Sequence, residues 1–311
     1  MTAVPQSTPP LVAARNVQKA YGAVNVLSDV SFDIFPGITG LLGSNGAGKT
    51  TMLGMILGLH PVDAGTLLVN GKDPGAAGPE IRALVGYAPE HHTLPPTLQA
   101  DDFVRHVAEL HGLPPTEAAT RSNDALWLVG LGEERFRPLG TMSTGQRQRV
   151  KLAQAIAHDP QLVLLDEPTD GLDPVQRDAM LELIKHISTE FGINIVVSSH
   201  LLDEVEQVCT GIVILSEGRT LTWGRLDELQ LQGQSGIVLQ VDGSEEKTQA
   251  LASYLQGVGC TVWIQGPRLQ IDAAGDVFDL VRDAVIDHQL GIVRLSRQKL
   301  SLEDVFMESL G

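Results

Sequence analysis

The chain has 311 residues, of which 43% are hydrophobic and 19% are charged. This balance is typical of about two folded domains and excludes a disordered chain, a collagen-like repeat and a coiled coil. Acidic residues outnumber basic ones by 38 to 22, and only 4% of residues are aromatic. The resulting net charge of −16 argues against binding to nucleic acid and against direct binding to anionic lipid.

The sequence lacks the patterns of a metal-binding cysteine cluster and of a membrane segment, which further narrows the class of protein. Cys209 and Cys260 lie far apart and lack the spacing of a zinc site, so we expect two reduced thiols. The sequence has no run of about 18 apolar residues and no signal-peptide pattern at its start. We therefore expect a cytoplasmic chain that reaches a membrane only through a partner.

The order of predicted elements indicates an α/β domain over residues 11–230, preceded by a flexible leader at 1–10. Val30, Phe32 and Ile34 alternate with polar residues and predict a half-buried strand, and the apolar run 38–42 predicts a buried one. Helical spacing then replaces strand signals, and we interpret residues from about 90 to 157 as an inserted helical subdomain. Strands return at 162–165, 193–197 and 212–215, with a helix between the first two, which predicts a largely parallel sheet covered by helices.

The remaining residues predict a second, smaller domain at 236–311. A stretch rich in glutamine and glycine at 230–236 is a candidate linker. After it the predicted order is strand 237–241, helix 245–255, strands 261–264 and 269–271, helix 276–286 and strand 291–295. This order is that of a small α+β module of the ferredoxin-like type. A last short helix is predicted after Ser301.

A phosphate-binding loop follows the buried strand at 38–42. Glycines let consecutive backbone N–H groups turn towards an anion, and the helix that follows presents its positive end to the same place. The lysine adds a full charge for the β- and γ-phosphates, and the threonine hydroxyl is a suitable Mg²⁺ ligand. We predict that this loop binds ATP through Gly43, Ser44, Asn45, Gly46, Ala47, Gly48, Lys49, Thr50 and Thr51.

Two adjacent acidic residues end the buried strand at 162–165. Carboxylates at such a place are costly to desolvate unless they have a purpose. We expect Asp166 to hold Mg²⁺ together with Thr50, and Glu167 to be the general base that accepts a proton from the attacking water.

With these motifs, residues 11–229 resemble the nucleotide-binding subunit of ABC transporters. The resemblance implies a P-loop ATPase cassette with a mostly parallel sheet, an N-terminal antiparallel β part and an inserted helical subdomain. Met142-Ser143-Thr144-Gly145-Gln146 resembles the signature segment that contacts ATP held by the opposite protomer, although Thr144 replaces the usual glycine. On its own, this segment is also compatible with a plain helix cap made by Ser143 and Gln146.

The resemblance implies roles for four more residues. His200 resembles the switch histidine that senses the γ-phosphate, and Asp173 lies in a segment like the loop that links the two sites of a dimer. Tyr21 resembles the residue that stacks on adenine, with a plain packing role as the alternative. Glu90 stands where the family usually has a glutamine that serves Mg²⁺ or water, and glutamate is typical of exporters of drugs, ions, lipids or polysaccharides. The ending at 301–306 resembles the same branch.

The function that this resemblance implies is ATP-driven transport. Two ATP-binding subunits, identical or homologous, would close head to tail on ATP and open after hydrolysis, and an integral membrane subunit would move the substrate. Three alternatives stay open: the ATPase of an importer, a soluble ABC ATPase of DNA repair or translation, and a module that binds nucleotide without turnover. The single cassette disfavours the second, and the presence of Lys49, Asp166, Glu167 and His200 disfavours the third.

Overall fold

The computed structural model describes residues 9–91, 94–232, 236–272 and 278–297. The chain divides into two compact units between Leu226 and Asp227. Most of the predicted leader, part of the predicted linker and the predicted helix after Ser301 lie outside the described residues. Within the described residues, no helix is both long enough and apolar enough to cross a lipid bilayer.

The first unit is built on one mixed sheet. Its strands in the described residues are β1 (Val12–Tyr21), β2 (Val24–Ile34), β3 (Ile38–Leu42), β4 (Ala64–Val69), β5 (Val85–Ala88), β6 (Leu162–Asp166), β7 (Asn194–Ser199), β8 (Gly211–Ser216) and β9 (Arg219–Arg225). They follow the spatial order β4-β1-β2-β9-β8-β3-β7-β6-β5. Strands β8, β3, β7, β6 and β5 run parallel, which confirms the predicted parallel sheet. The antiparallel pairs β1–β2 and β1–β4 confirm the N-terminal antiparallel part.

Helices connect these strands and cover the sheet. They are α1 (Lys49–Ile56), α2 (Gly78–Leu84), α3 (Ala100–Leu110), α4 (Pro115–Leu128), α5 (Thr144–Ile156), α6 (Pro174–Phe191) and α7 (Leu202–Val208), with 3₁₀ turns at Gly132–Phe136 and Leu139–Thr141. A further helix, α8 (Leu226–Gln232), begins at the boundary of the unit and extends into the residues predicted as a linker. Between β5 and β6 the described residues contain no strand longer than the isolated bridge between Gln99 and Pro138, and helices dominate, as expected for an inserted helical part.

The strands that end at the candidate site are buried in the middle of the sheet. Every residue of β3 and β6 is buried, as expected for central strands covered on both faces. Val30, Phe32 and Ile34 of β2 are also buried, on the face that the alternation predicted. Helix α3 buries Phe103 and Val104 but leaves Leu110 73% exposed. Because parallel strands end at the same edge of a sheet, the residues that follow β3, β6 and β7 come together there.

Helix α5 lies against β5 at a distance that only glycine permits. A Cβ atom on Gly86 would lie 1.8 Å from the carbonyl oxygen of Ala155. Gly86 pairs with Val163 in the neighbouring strand β6. The helical part is therefore held directly on the parallel sheet.

The second unit has its own sheet and core. Its elements are β10 (Gly236–Asp242), α9 (Glu245–Gly257), β11 (Thr261–Gln265), β12 (Arg268–Asp272), α10 (Phe278–Asp287) and β13 (Gly291–Arg297). The strands are antiparallel in the order β11-β12-β10-β13, so the fourth strand of the unit lies beside the first. This arrangement confirms the ferredoxin-like module. Leu239, Leu269 and Ile271 belong to the same buried core as Leu251 and Leu255 of α9.

Candidate functional site

The phosphate loop occupies residues 43–48, between β3 and α1. Gly48 has a φ of 101°, in the left-handed region, and a Cβ atom there would lie 2.4 Å from Cδ2 of Leu27. Glycine is therefore required for both the backbone conformation and the close packing. Beside the loop lies an open groove of about 430 Å³, lined by Val26, Ser44, Asn45, Gly46, Gly48, Lys49, Thr50, Thr51, Glu90, His91 and Glu167.

Lys49 is the buried cation of this groove. Its side chain is 7% exposed, and its Nζ donates a hydrogen bond to the carbonyl oxygen of Gly43 at 2.7 Å. The same Nζ lies 3.1 Å from Oε1 of Glu167, which is 8% exposed. The structure thus brings the predicted phosphate-binding lysine and the predicted general base into one ion pair. An anion bound in the loop would compete with Glu167 for this ammonium group.

The two acidic residues after β6 are held by Ser198, which sequence reasoning missed. The Ser198 hydroxyl donates to Oδ1 of Asp166 at 2.5 Å and accepts a hydrogen bond from the backbone N–H of Glu167 at 3.0 Å. Glu167 has a φ of 47°, an uncommon conformation for a residue with a side chain. Ser198 therefore anchors the backbone at a strained position. The sequence feature that could have identified Ser198 is its position two residues before His200.

Tyr87 is a second neighbour of Asp166 that sequence reasoning did not assign to the site. Its hydroxyl lies 3.5 Å from Oδ2 of Asp166. Burial, and then the negative charge of Asp166, raise the pKa of the Tyr87 hydroxyl well above its ordinary range. Tyr87 is therefore a neutral hydrogen-bond donor to Asp166 near neutral pH.

His200 follows β7 and contacts the other oxygen of Glu167. Its Nδ1 lies 2.9 Å from Oε2 of Glu167, and its side chain is 44% exposed. Glu167 therefore lies between a buried lysine on one side and a half-exposed histidine on the other. The structure brings His200 to the predicted base, and the contact with the γ-phosphate that the resemblance implied stays a prediction.

Glu90 lines the groove, and a side chain of helix α5 holds its backbone through a hydrogen bond. Lys151 of α5 donates to the carbonyl oxygen of Glu90 at 2.7 Å, and the Glu90 carboxylate lies 3.1 Å from Nε2 of His91. Burial lowers the pKa of the Lys151 ammonium group, partly offset by the charge of Glu90. Gln154, one turn later on α5, donates to the carbonyl oxygen of Tyr87. Lys151 and Gln154 are further residues that the sequence did not single out.

The signature-like segment caps the same helix. Ser143 and Gln146 form a reciprocal capping box: the Gln146 N–H donates to Ser143 Oγ at 3.2 Å, and the Ser143 N–H donates to Gln146 Oε1 at 3.0 Å. The cap that was predicted as an alternative is therefore present. Ser143 is exposed and does not line the groove, and Gly145 lies beside it in the first turn.

Asp173 caps helix α6 next to this segment. Its Oδ1 accepts a hydrogen bond from the Gln176 N–H at 2.9 Å. In the loop before it, the carbonyl oxygen of Asp170 accepts from the Gln148 side chain of α5. A Cβ atom on Gly145 would lie 3.0 Å from Oε1 of Gln176, so the structure places the signature-like segment beside the start of α6, which Asp173 caps.

Tyr21, at the end of β1, is 46% exposed. Its ring meets His60 edge to face at 5.8 Å, and the Lys19 ammonium lies 5.3 Å from the ring centroid. Tyr21 does not line the groove at the phosphate loop. Its exposed ring is free to stack on a planar group.

The oxygen donors around the groove suit a hard cation. Thr50 and Glu90 line the groove, and Asp166 presents a carboxylate one residue before Glu167. In the described part of the chain, no three histidine, cysteine, aspartate or glutamate side chains cluster as a metal site by themselves. Hydroxyl and carboxylate oxygens are ligands that Mg²⁺ prefers, so Thr50, Glu90 and Asp166 fit this ion. A strand, phosphate loop and helix opposite paired acids on a parallel strand define a P-loop nucleoside triphosphatase.

Comparisons with known proteins place the chain within this class. The family model "ABC transporter" matches residues 27–170. The linearmycin resistance ATP-binding protein LnrL of Bacillus subtilis is 33% identical over 97% of this chain and 98% of its own length. A Nod factor export ATP-binding protein of Cupriavidus metallidurans is 31% identical over 97% of both chains. The methionine import ATP-binding protein MetN of Clostridioides difficile is 33% identical over 73% of this chain and 72% of its own.

A solved ATP-binding subunit of an ABC transporter has 31% sequence identity and a TM-score of 0.63, over 71% of this chain and 92% of that one. The chain belongs to the ABC transporter family as an ATP-binding subunit, and its cassette is an ABC ATPase. The predicted fold and ATPase activity are therefore confirmed.

Proposed function

We propose that this chain hydrolyses ATP to drive an exporter. The observation that supports export over import is how much of the chain each group of relatives matches. The resistance and export relatives match nearly the whole chain, including the C-terminal unit, whereas the import relative matches about three quarters of it. Glu90 at the groove supports the same branch of the family.

In the proposed mechanism the phosphate loop binds the triphosphate of ATP. The loop N–H groups and the start of α1 receive the phosphates, and Lys49 moves its charge from Glu167 to the β- and γ-phosphate oxygens. Glu167 is released from its ion pair and accepts a proton from the attacking water. His200, 2.9 Å from Glu167, orients that carboxylate and meets the γ-phosphate.

The proposed metal ligands are Thr50, Asp166 and Glu90. Mg²⁺ bound by them would neutralise charge on the phosphate oxygens. The chain contributes the fixed carboxylate of Asp166, which Ser198 and Tyr87 hold in place.

The second half of each ATP site is proposed to come from another ATP-binding subunit. Ser143 and Asp173 are exposed at neighbouring helix starts and are not part of their own chain's groove. We therefore assign Ser143, Gly145, Gln146 and Asp173 to contacts with ATP and loops of the opposite protomer. Tyr21 is proposed to stack on the adenine ring.

We further propose that an integral membrane subunit binds the ATP-binding pair at the cytoplasmic face. Closing on ATP and opening after hydrolysis would then change the access of the membrane subunit. The net charge of −16 makes a protein groove a better docking surface than anionic lipid. We do not expect binding to nucleic acid.

The test of this function uses Glu167→Gln, with Glu80→Gln as the matched surface control. The variant should bind ATP and form a stable dimer, while its kcat falls at least ~100-fold, because an amide cannot accept the proton of water. The control should retain normal turnover, since Glu80 is exposed. Turnover of Glu167→Gln at the normal rate would contradict the proposed base.

The importer is the second candidate, because MetN shares the cassette at 33% identity. Reconstitution of the chain with its copurifying membrane protein in vesicles distinguishes the two directions. ATP-driven loss of substrate from the cytoplasmic side supports export, and ATP-driven uptake with a binding protein refutes it. Copurification with ribosomes or DNA would instead support a soluble ABC ATPase.

A further inference from the structure

Helix α7 carries a buried carboxylate that plays no part in the mechanism above. Glu204 is 3% exposed and does not line the ATP groove. Burying a carboxylate costs several kcal/mol unless the charge is paired and hydrogen-bonded. The contacts of Glu204 therefore indicate what the buried charge holds.

One oxygen of Glu204 fixes the turn that carries His200. The Ser199 hydroxyl donates to Oε2 of Glu204 at 2.6 Å and accepts a hydrogen bond from the Leu201 N–H at 3.0 Å. Ser199 and Leu201 are the residues on either side of His200. Glu204 thus orients the backbone from which His200 reaches Glu167.

The other oxygen of Glu204 faces helix α6. Arg177 Nε lies 3.3 Å from Oε1 of Glu204, as an ion pair without hydrogen-bond geometry. Arg177 lies in the first turn of α6, and its backbone N–H donates to the carbonyl oxygen of Asp173. One buried carboxylate therefore connects the Asp173 loop with the His200 turn.

Arg177 and Glu204 are close but are not aligned for a hydrogen bond, so their contact is sensitive to movement of helix α6. Among the described residues, neither Arg177 Nε nor Glu204 Oε1 has a hydrogen-bond partner, although both atoms are buried. A small rotation at the start of α6 would align the donor and strengthen the contact, because hydrogen bonds depend steeply on angle. A shift of the Asp173 loop would then change the position of Ser199 and, through it, of His200.

We propose that Arg177 and Glu204 are positioning residues that couple the Asp173 loop to His200 and so to the orientation of Glu167. This inference rests on the proposed roles of Asp173 and His200. The pair should affect hydrolysis more than ATP binding. The phosphate loop is held by β3 and α1, which neither residue belongs to.

The experiment measures steady-state ATP hydrolysis of Glu204→Gln, Arg177→Gln and the double variant. Glu204→Gln keeps an acceptor for Ser199 but removes the charge opposite Arg177. We expect each variant to lower kcat about tenfold, while KM for ATP changes less than about twofold. The double variant should be no slower than the slower single one, because both act through one contact. Glu80→Gln removes the charge of an exposed ion pair and is the control.

Two comparisons separate this inference from a purely structural role. In a His200→Ala background, Glu204→Gln should cause no further loss of kcat. Additional loss there, or a fall in thermal stability that accounts for the lost activity, would overturn the inference. Arg177→Gln keeps the test decisive if Glu204→Gln does not fold, because Arg177 is partly exposed.

The same set of variants distinguishes this inference from the proposed function. If His200→Ala retains normal kcat, the proposed role of His200 is wrong. If His200→Ala lowers kcat but Arg177→Gln and Glu204→Gln do not, only the coupling is wrong.

Discussion

Ser198→Ala removes the hydroxyl that joins the two acidic residues of the ATP site. Ser198 is fully buried, so water cannot replace the lost contacts. The Asp166 carboxylate would lose a hydrogen bond, which is worth about 2 kcal/mol for a charged acceptor. The Glu167 N–H would also be left without a partner, at a cost of about 1 kcal/mol or more.

These two losses predict a fall of about 3 kcal/mol in the free energy of unfolding of the cassette. The measurement is urea unfolding followed by circular dichroism, with Ser253→Ala as the control. Ser253 lies on an exposed face of α9, so its replacement should change the unfolding free energy by less than about 0.5 kcal/mol.

Turnover should fall for the same reason. Without Ser198 the backbone of Glu167 loses the contact that holds its left-handed conformation. We expect kcat to fall about tenfold with little change in KM for ATP, since Lys49 and the phosphate loop keep their contacts. A Ser198→Ala variant with wild-type stability and kcat would refute the anchoring role.

Three other predictions concern different parts of the first unit. Gly86→Ala should destabilise the cassette by about 3 kcal/mol in urea unfolding, because the new Cβ atom would overlap the Ala155 carbonyl oxygen. Unchanged stability would show that α5 can move away from β5 freely. Burial lowers the pKa of His158 from 6.5 to about 3, so folded His158 stays neutral while the unfolded chain takes up a proton. Stability should therefore fall as the pH drops below about 6.5, by about 1.4 kcal/mol per pH unit at most, and His158→Phe should flatten this slope in acid titrations of unfolding. Tyr21→Ala should raise KM for ATP about fivefold while Tyr21→Phe leaves it unchanged, as expected if the ring stacks on adenine. If Tyr21→Ala and the wild-type chain have equal KM values for ATP, Tyr21 is a packing residue.

The elements that depend on local sequence were predictable. A buried apolar run, a glycine-rich loop and a helix follow one another without interruption, so adjacent residues alone locate the phosphate-binding residues, which are the loop at 43–48 and the start of α1. The C-terminal unit was predictable for a similar reason. Its strands and helices have clear periods, and they follow one another in the order that the structure shows.

The order of strands in the cassette sheet could not be predicted from periodicity. Strand β9 joins β2 through one pair, Asp29 with Arg219, although the two residues are far apart in the sequence. Tertiary packing also decides which side of α3 is buried, because it covers Phe103 but leaves Leu110 exposed to solvent. Both depend on which surfaces pack together after the chain has collapsed.

The type of chemistry can be predicted from the amino-acid sequence alone, because a phosphate loop and a strand that ends in Asp-Glu each carry their function in a few adjacent residues. The side chains that support these two motifs become visible in the folded chain. Ser198 holds Asp166, Lys151 holds Glu90, and Glu204 faces Arg177, and each of these contacts joins elements that are separate in the sequence. Such contacts form where strand ends and helix starts meet in space, and a residue's neighbours along the chain do not reveal them.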